Sequence, residues 1–185
     1  MKRKKTLLTL VITFAAITIA VAVFGWYTLA GGNTKTPDGE PAIVYIPHKA
    51  NYDDVVDIMG NHLKNRSTFR WVSRLLSYDE LVKPGRYLVR PGMGNLSLVR
   101  MLRNGRQEPV KVTFNNVNML SDLSRKISTF FHFDSASFHQ VITDPVLLDS
   151  MGTNRQMVMA WFMPNTYEFW WTDNPEDVLV KMKRE

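Results

Sequence analysis

The chain has 185 residues, 45% of them hydrophobic and 22% charged, with a formal net charge of +6 and no cysteine. That length allows one medium domain or two small ones, and the lack of cysteine excludes both a disulfide framework and an acylated-cysteine anchor. Lys2, Arg3, Lys4 and Lys5 supply four of the positive charges and leave +2 for everything else, so the basic balance speaks for membrane topology and not for a nucleic-acid partner.

From Thr6 to Thr34 no charge occurs, and Leu7 to Tyr27 is apolar throughout. At about 1.5 Å per residue this stretch can cross a hydrocarbon layer of about 30 Å. Residues 1–30 therefore predict a cytoplasmic basic flank and a transmembrane helix, with Trp26 and Tyr27 at the far interface and the bulk of the chain exported. The localisation expected is a single-pass protein of the cell inner membrane with its N-terminus in the cytoplasm. A cleaved signal peptide is the alternative, but its apolar region would run to only about 7–15 residues.

Residues 31–41, GGNTKTPDGEP, have the composition of a short linker. Ala42 to Ile46 reads as a buried strand stopped by Pro47. Asn51 is placed to cap a helix that carries Asp53 and Asp54 in its first turn and Val55, Ile58, Met59 and Leu63 on one face. A second helix is predicted from Ser67 to Leu76, then a strand from Arg86 to Val89 between turns at Pro84-Gly85 and Pro91-Gly92. The order over residues 42–106 is thus strand, helix, helix, strand, followed by a short helix from Asn95 that Gly105 closes.

Residues 107–185 open with an alternating strand, Pro109 to Phe114, and a longer amphipathic helix from Met119 to about Phe131. Ser135 is placed to cap another helix. Tyr167, Phe169 and Trp171 alternate as one buried face of a strand, which turns Glu168 and Trp170 outward. Asn174 and Pro175 open a last helix whose stripe of Val178, Leu179 and Met182 runs about two turns with no C-cap signal, so the chain is expected to be part of a longer protein.

The four histidines, His48, His62, His132 and His139, show no metal-ligand spacing, and no nucleophile elbow, P-loop or dinucleotide fingerprint occurs. Neither metal nor cofactor is implied. The scattered acids fall at helix starts and turns, where free N–H groups attract carboxylates. Glu168 differs, because its aromatic neighbours could desolvate it and raise its pKa as a general acid requires. The strand period, however, places it on the exposed side.

The run KPGRYLVRPGMGNLSLVRMLRNGRQEPVKVTF, an amphipathic helix and then WFMPNTYEF together resemble the YceG-like family, the endolytic murein transglycosylases of the MltG type. The most specific parts are Pro84 to Gly105 and Pro164 to Phe169. Two departures stand out: Asn115-Asn116 where members commonly have Glu-Gly, and Met159 and Asn165 where Glu and Asp are common. The resemblance implies an α+β fold: an N-terminal transmembrane helix (1–30), a linker (31–41), a LysM-like βααβ module (42–106), and the start of a mixed α/β catalytic domain (107–185).

It also implies cleavage of the β-1,4 bond between N-acetylmuramic acid and N-acetylglucosamine in nascent peptidoglycan strands, with a 1,6-anhydro product. In that chemistry one Glu acts first as acid and then as base, so no second carboxylate is required. The family's catalytic Glu belongs to a helical ASIxExE motif after PDTYEF, and no such motif occurs before Glu185. No catalytic residue is therefore expected within this chain, Glu168 being the one candidate, and the chain alone is expected to be inactive. Substrate contacts are expected from Asn165, Thr166, Tyr167 and Glu168, with Trp161, Trp170 and Trp171 stacking on sugar faces. Expected partners are peptidoglycan glycan strands and the inner membrane, with peptidoglycan synthases suggested by the family alone. The rival reading is a non-catalytic peptidoglycan-binding envelope adaptor.

Overall fold

The computed structural model describes residues 2–114 and 119–185, with the helical backbone alone for residues 2–9. The fold is mixed α+β with small sheets, two strands each among the described residues. The chain divides into two compact units. The first takes residues up to Val44, Ala50–Lys83 and Leu88–Arg106, and the second Tyr45–Lys49, Pro84–Tyr87 and Gln107–Glu185. Asn115 and Asn116 lie outside the described residues.

The first unit begins with α1 (Lys2–Ala30), whose stretch Leu10–Ala30 has a mean hydropathy of 2.2 and the length to cross a membrane. In chain order β1 (Ala42–Ile46), α2 (Tyr52–Gly60), α3 (Arg66–Leu75) and β2 (Gly85–Val89) follow as expected; β1 pairs with β2, and by residue both strands are shared between the two units. Asn51 forms a full capping box with Asp54, as its spacing predicted. Asn65 starts α3 one residue early, because its side chain accepts from Ser67 and Thr68 N–H. The unit buries Val55, Val56 and Met59 of α2 against Phe69 and Val72 of α3 and the Leu98, Val99 and Leu102 stripe of α4 (Asn95–Asn104). Gly105 ends α4 with φ +68°, the left-handed conformation that glycine adopts without strain.

The start of the 31–41 segment is built into this unit. Asn33 and Thr34 are buried, and Gly32 and Thr34 form bridges to Gly94 and Leu63. Gly94 makes the closure possible, since a Cβ there would stand 2.7 Å from the Ala30 carbonyl oxygen. Asn95 opens α4 as expected, with Gly94 as the N-cap residue, yet its side chain does not face solvent. Its side chain points inward instead and bonds the Thr28 carbonyl (2.9 Å), Thr68 Oγ1 (3.1 Å) and Asn33 Nδ2 (2.7 Å).

The second unit contains β3 (Val110–Thr113), α5 (Leu120–Ser128), α6 (Ser135–Thr143), α7 (Pro145–Ser150), a 3-10 turn (Val158–Trp161), β4 (Thr166–Phe169) and α8 (Pro175–Arg184). Helix α5 is shorter than its stripe suggested, and Asp134, not Ser135, caps α6 by accepting from Ser137 N–H. Strands β3 and β4 pair antiparallel with Val110 opposite Phe169, Lys111 opposite Glu168, Val112 opposite Tyr167 and Thr113 opposite Thr166. The inward residues of this ladder, Val112, Tyr167 and Phe169 among them, join Leu123, Ile127, Phe138 and Val178 in one core.

Candidate functional site

The pleat of the β3–β4 ladder sorts the predicted residues by face. Thr166 and Glu168 point outward, where Thr166 pairs hydroxyls with Thr113 at 2.8 Å and Glu168 lies 3.6 Å from Lys111 Nζ. Both members of the ion pair are largely exposed, at 59% for Glu168 and 70% for Lys111, so the pair contributes at most about 1 kcal/mol. Lys181 Nζ also donates to the Glu168 carbonyl and sits over the Phe169 ring. Tyr167 points into the core and donates to the Met163 carbonyl. Asn165 is exposed and turns its Oδ1 onto the Thr166 N–H.

The three tryptophans do not form one stacking surface. Trp161 and Met159 of the 3-10 turn are partly buried and pack on the edge of the core. The alternating strand stops at Phe169, before the tryptophans, because the Asp173 carboxylate accepts from Trp170 N–H at 2.9 Å and closes a turn. Trp170 is left exposed, while Trp171 swings against Tyr45, with ring centroids 5.1 Å apart.

Trp171 thereby lines an open groove of about 620 Å³ within the second unit, together with Tyr45, Arg86, Glu108, Pro109, Val110, Lys111, Thr129 and Phe130. Arg86 is held in a fixed pose, its Nη1 donating to the carbonyls of Glu108 (3.2 Å) and Pro109 (2.9 Å). Among the described residues no carboxylate lies within ion-pair distance of its guanidinium. The groove therefore offers aromatic faces, a positioned cation, an acid and an exposed lysine. Tyr45, Arg86, Glu108 and Lys111 are missing from the sequence-derived set. Pairing of segments far apart in the chain assembles them, and no local pattern distinguishes them from ordinary strand residues.

Beside Trp171, the rings of His48 and His132 lie with centroids 4.3 Å apart, tilted by 43°, and His132 Nδ1 lies 3.1 Å from the Trp171 carbonyl. Burial, and then the charge of His132, lowers the pKa of His48 below its ordinary 6.5. The unfolded chain then holds a proton that the folded unit gives up, so stability is full above 6.5 and is lost as pH falls through the lower folded value. Asp173 is shifted the other way, upward from 3.8, chiefly by burial; its contribution is lost as pH rises through that raised value. The His48 contribution to the thermal midpoint of the second unit is expected to fall as pH drops below about 6.5. His132→Gln removes the second of the two causes and should lessen that fall, without abolishing it, in a melting series.

Ser124 and His139 are the other polar pair, 3.2 Å apart in a small cavity. The Ser124 hydroxyl already donates to the Leu120 carbonyl at 2.7 Å, so the pair is a structural link and not an activated nucleophile. Among the described residues no three His, Asp or Glu side chains converge as a metal-binding set.

The chain is thus an α+β protein with, among the described residues, one apolar helix of membrane-spanning length, and with an open groove in its second unit walled by aromatic rings. The YceG-like family model matches residues 44–185, and the chain belongs to that family, which is associated in general with murein transglycosylases. Among solved structures it is similar to a Listeria monocytogenes protein named as yceG-like, at 21% identity, covering 78% of this chain and 54% of that one, with a TM-score of 0.39. The chain thus spans about half the length of that protein. No curated protein matches it.

Proposed function

We propose that this chain is the membrane-anchored, substrate-holding part of an endolytic murein transglycosylase. The enzyme cuts the β-1,4 bond between N-acetylmuramic acid and N-acetylglucosamine in nascent glycan strands. The observation that carries the reading is the groove of Tyr45, Trp171, Arg86, Glu108 and Lys111 in a chain of the YceG-like family. Aromatic rings accept the apolar faces of sugars, and charged groups fixed by main-chain contacts bond hydroxyl, acetamido and carboxylate groups. The βααβ run of residues 42–106 is read as a LysM-like glycan-binding module. The inner membrane holds α1, with the groove on the extracytoplasmic side and peptidoglycan synthases as neighbours.

In the proposed reaction an acid protonates the glycosidic oxygen as the bond to C1 breaks. The same group then takes the proton of the sugar's own 6-hydroxyl, whose oxygen closes on C1 to give the 1,6-anhydro end. Glu168 is poorly suited to this role. A proton donor at neutral pH needs a desolvated setting, whereas Glu168 is exposed and paired with Lys111. The acid is assigned instead to the family's ExE helix, C-terminal to Glu185.

Glu168→Gln, introduced into a form extended through that helix, should lower turnover by no more than about fivefold, the effect of losing one exposed ion pair worth at most about 1 kcal/mol. Complete loss of anhydro-muropeptide release, with folding and glycan binding intact, would return the acid to Glu168. The non-catalytic adaptor is favoured by one observation, a partly buried Met159 packed against the core at the position where the family resemblance leads one to expect Glu. An open reading frame continuing past Glu185 into an ExE helix supports the enzyme, and a stop codon there supports the adaptor.

A further inference from the structure

Helix α3 has a surface that its own unit does not use. Its inward side is Phe69, Val72 and Ser73, all fully buried. Its outward side divides lengthwise at the α-helical repeat, with Arg66, Arg70 and Arg74 along one flank and Ser67, Trp71 and Leu75 along the other. Trp71 and Leu75 are 52% and 59% exposed, an unusual load for a helix of ten residues. Arg66 and Arg70 lean on Asp57 and Asp53 at 3.6 and 3.5 Å, but among the described residues Arg74 has no carboxylate within ion-pair distance.

What covers the apolar flank is indicated by its neighbour. Trp71, Ser67 and Thr68 form a groove of about 380 Å³ with Val21, Phe24, Gly25 and Thr28 of α1. Those α1 residues belong to the stretch long and apolar enough to cross a membrane. The apolar flank of α3 is therefore continuous with the lipid-facing surface of α1, and the arginines stand on the side away from that surface. A bilayer is apolar inside, polar at its boundary and, where lipids are acidic, negatively charged at the headgroups. An amphipathic helix with Trp and Leu on one flank and Arg on the other matches that gradient.

We infer that α3 lies in the boundary of the bilayer that α1 crosses, with Trp71 and Leu75 at the upper acyl chains and Arg74 among anionic headgroups. The groove between α1 and α3 takes a lipid acyl chain. The helix thus fixes the height and tilt of the first unit over the membrane, where a lone span would let it swivel. This rests on the reading of α1 as a membrane anchor.

The natural lack of cysteine permits a direct test. Leu75→Cys, Ile17→Cys and Asp149→Cys, each carrying an environment-sensitive fluorophore, are introduced singly into the whole chain. Each is reconstituted in vesicles of phosphatidylcholine with phosphatidylglycerol, using lipids brominated in the acyl chains. Labels at residues 17 and 75 should be quenched by bromine, and the label at 149 by aqueous iodide only. Replacing phosphatidylglycerol by phosphatidylcholine, or adding Arg74→Gln, should weaken quenching at residue 75 about fivefold and leave residue 17 unchanged. Quenching at 17 with a label at 75 open to iodide overturns the inference and leaves the anchor standing. Absence of quenching at 17 overturns both. A label at 75 shielded from bromine and iodide alike means that protein covers the face, and it overturns the inference as well. Quenching at 75 that ignores headgroup charge overturns the role given to Arg74.

Discussion

Replacing Asn95 with alanine is expected to destabilise the first unit by roughly 2–3 kcal/mol, a large share of the stability of a small domain. Asn95 is 1% exposed and ties three separate segments together: the last turn of α1 through the Thr28 carbonyl, the following segment through Asn33, and α3 through Thr68. Alanine removes both donor bonds and the acceptor for Asn33, and it leaves the Thr28 carbonyl buried without that partner. Asn33 keeps its bond to the Asn65 carbonyl at 2.8 Å, which limits the loss. Chemical denaturation of the detergent-solubilised chain measures the cost. Asn95→Asp provides a second test with a different sign of dependence. A carboxylate buried there has a raised pKa, so its penalty is small below the ordinary carboxylate range and grows as pH rises through the folded value. A cost below about 0.5 kcal/mol for Asn95→Ala, in the range of an ordinary surface change, would mean that the network is not structural.

Trp171→Ala should weaken binding of a soluble peptidoglycan fragment by about tenfold, roughly 1.4 kcal/mol, while Trp170→Ala changes it by less than about twofold. The contrast follows from the turn that Asp173 closes, which directs Trp171 into the groove beside Tyr45 and leaves Trp170 on the surface. Calorimetric titration of the two variants separates the groove from a generic aromatic patch, since such a patch would respond equally to either loss.

Much of the fold could be read from local signals. The Asn51–Asp54 capping box, the glycine that ends α4 and the Asn174-Pro175 start of α8 each depend on one or two residues acting on neighbouring backbone, and each lies where its spacing predicts. The outward turn of Glu168 follows from the period of two in a strand and was legible for the same reason. Trp171 was misplaced because a side-chain bond three residues away ended the strand, overriding an alternation that continued in the sequence. The start of α4 at Asn95 was legible in the same way, but the role of its side chain was not, because its partners are up to 67 residues away. The groove was the least legible part. Arg86 and Glu108 meet through main-chain pairing across distant segments, with the Glu108 N–H donating to the Arg86 carbonyl at 2.7 Å, and nothing in either local sequence marks the meeting.

On the proposed function, this chain holds glycan and does not itself supply the acid that cuts it. The direct measurement is incubation of the purified chain with cell-wall sacculi, followed by separation of the soluble products. The chain is expected to cosediment with the sacculi, and no anhydro-muropeptides are expected in the supernatant. Their release by this chain alone would contradict the proposed function.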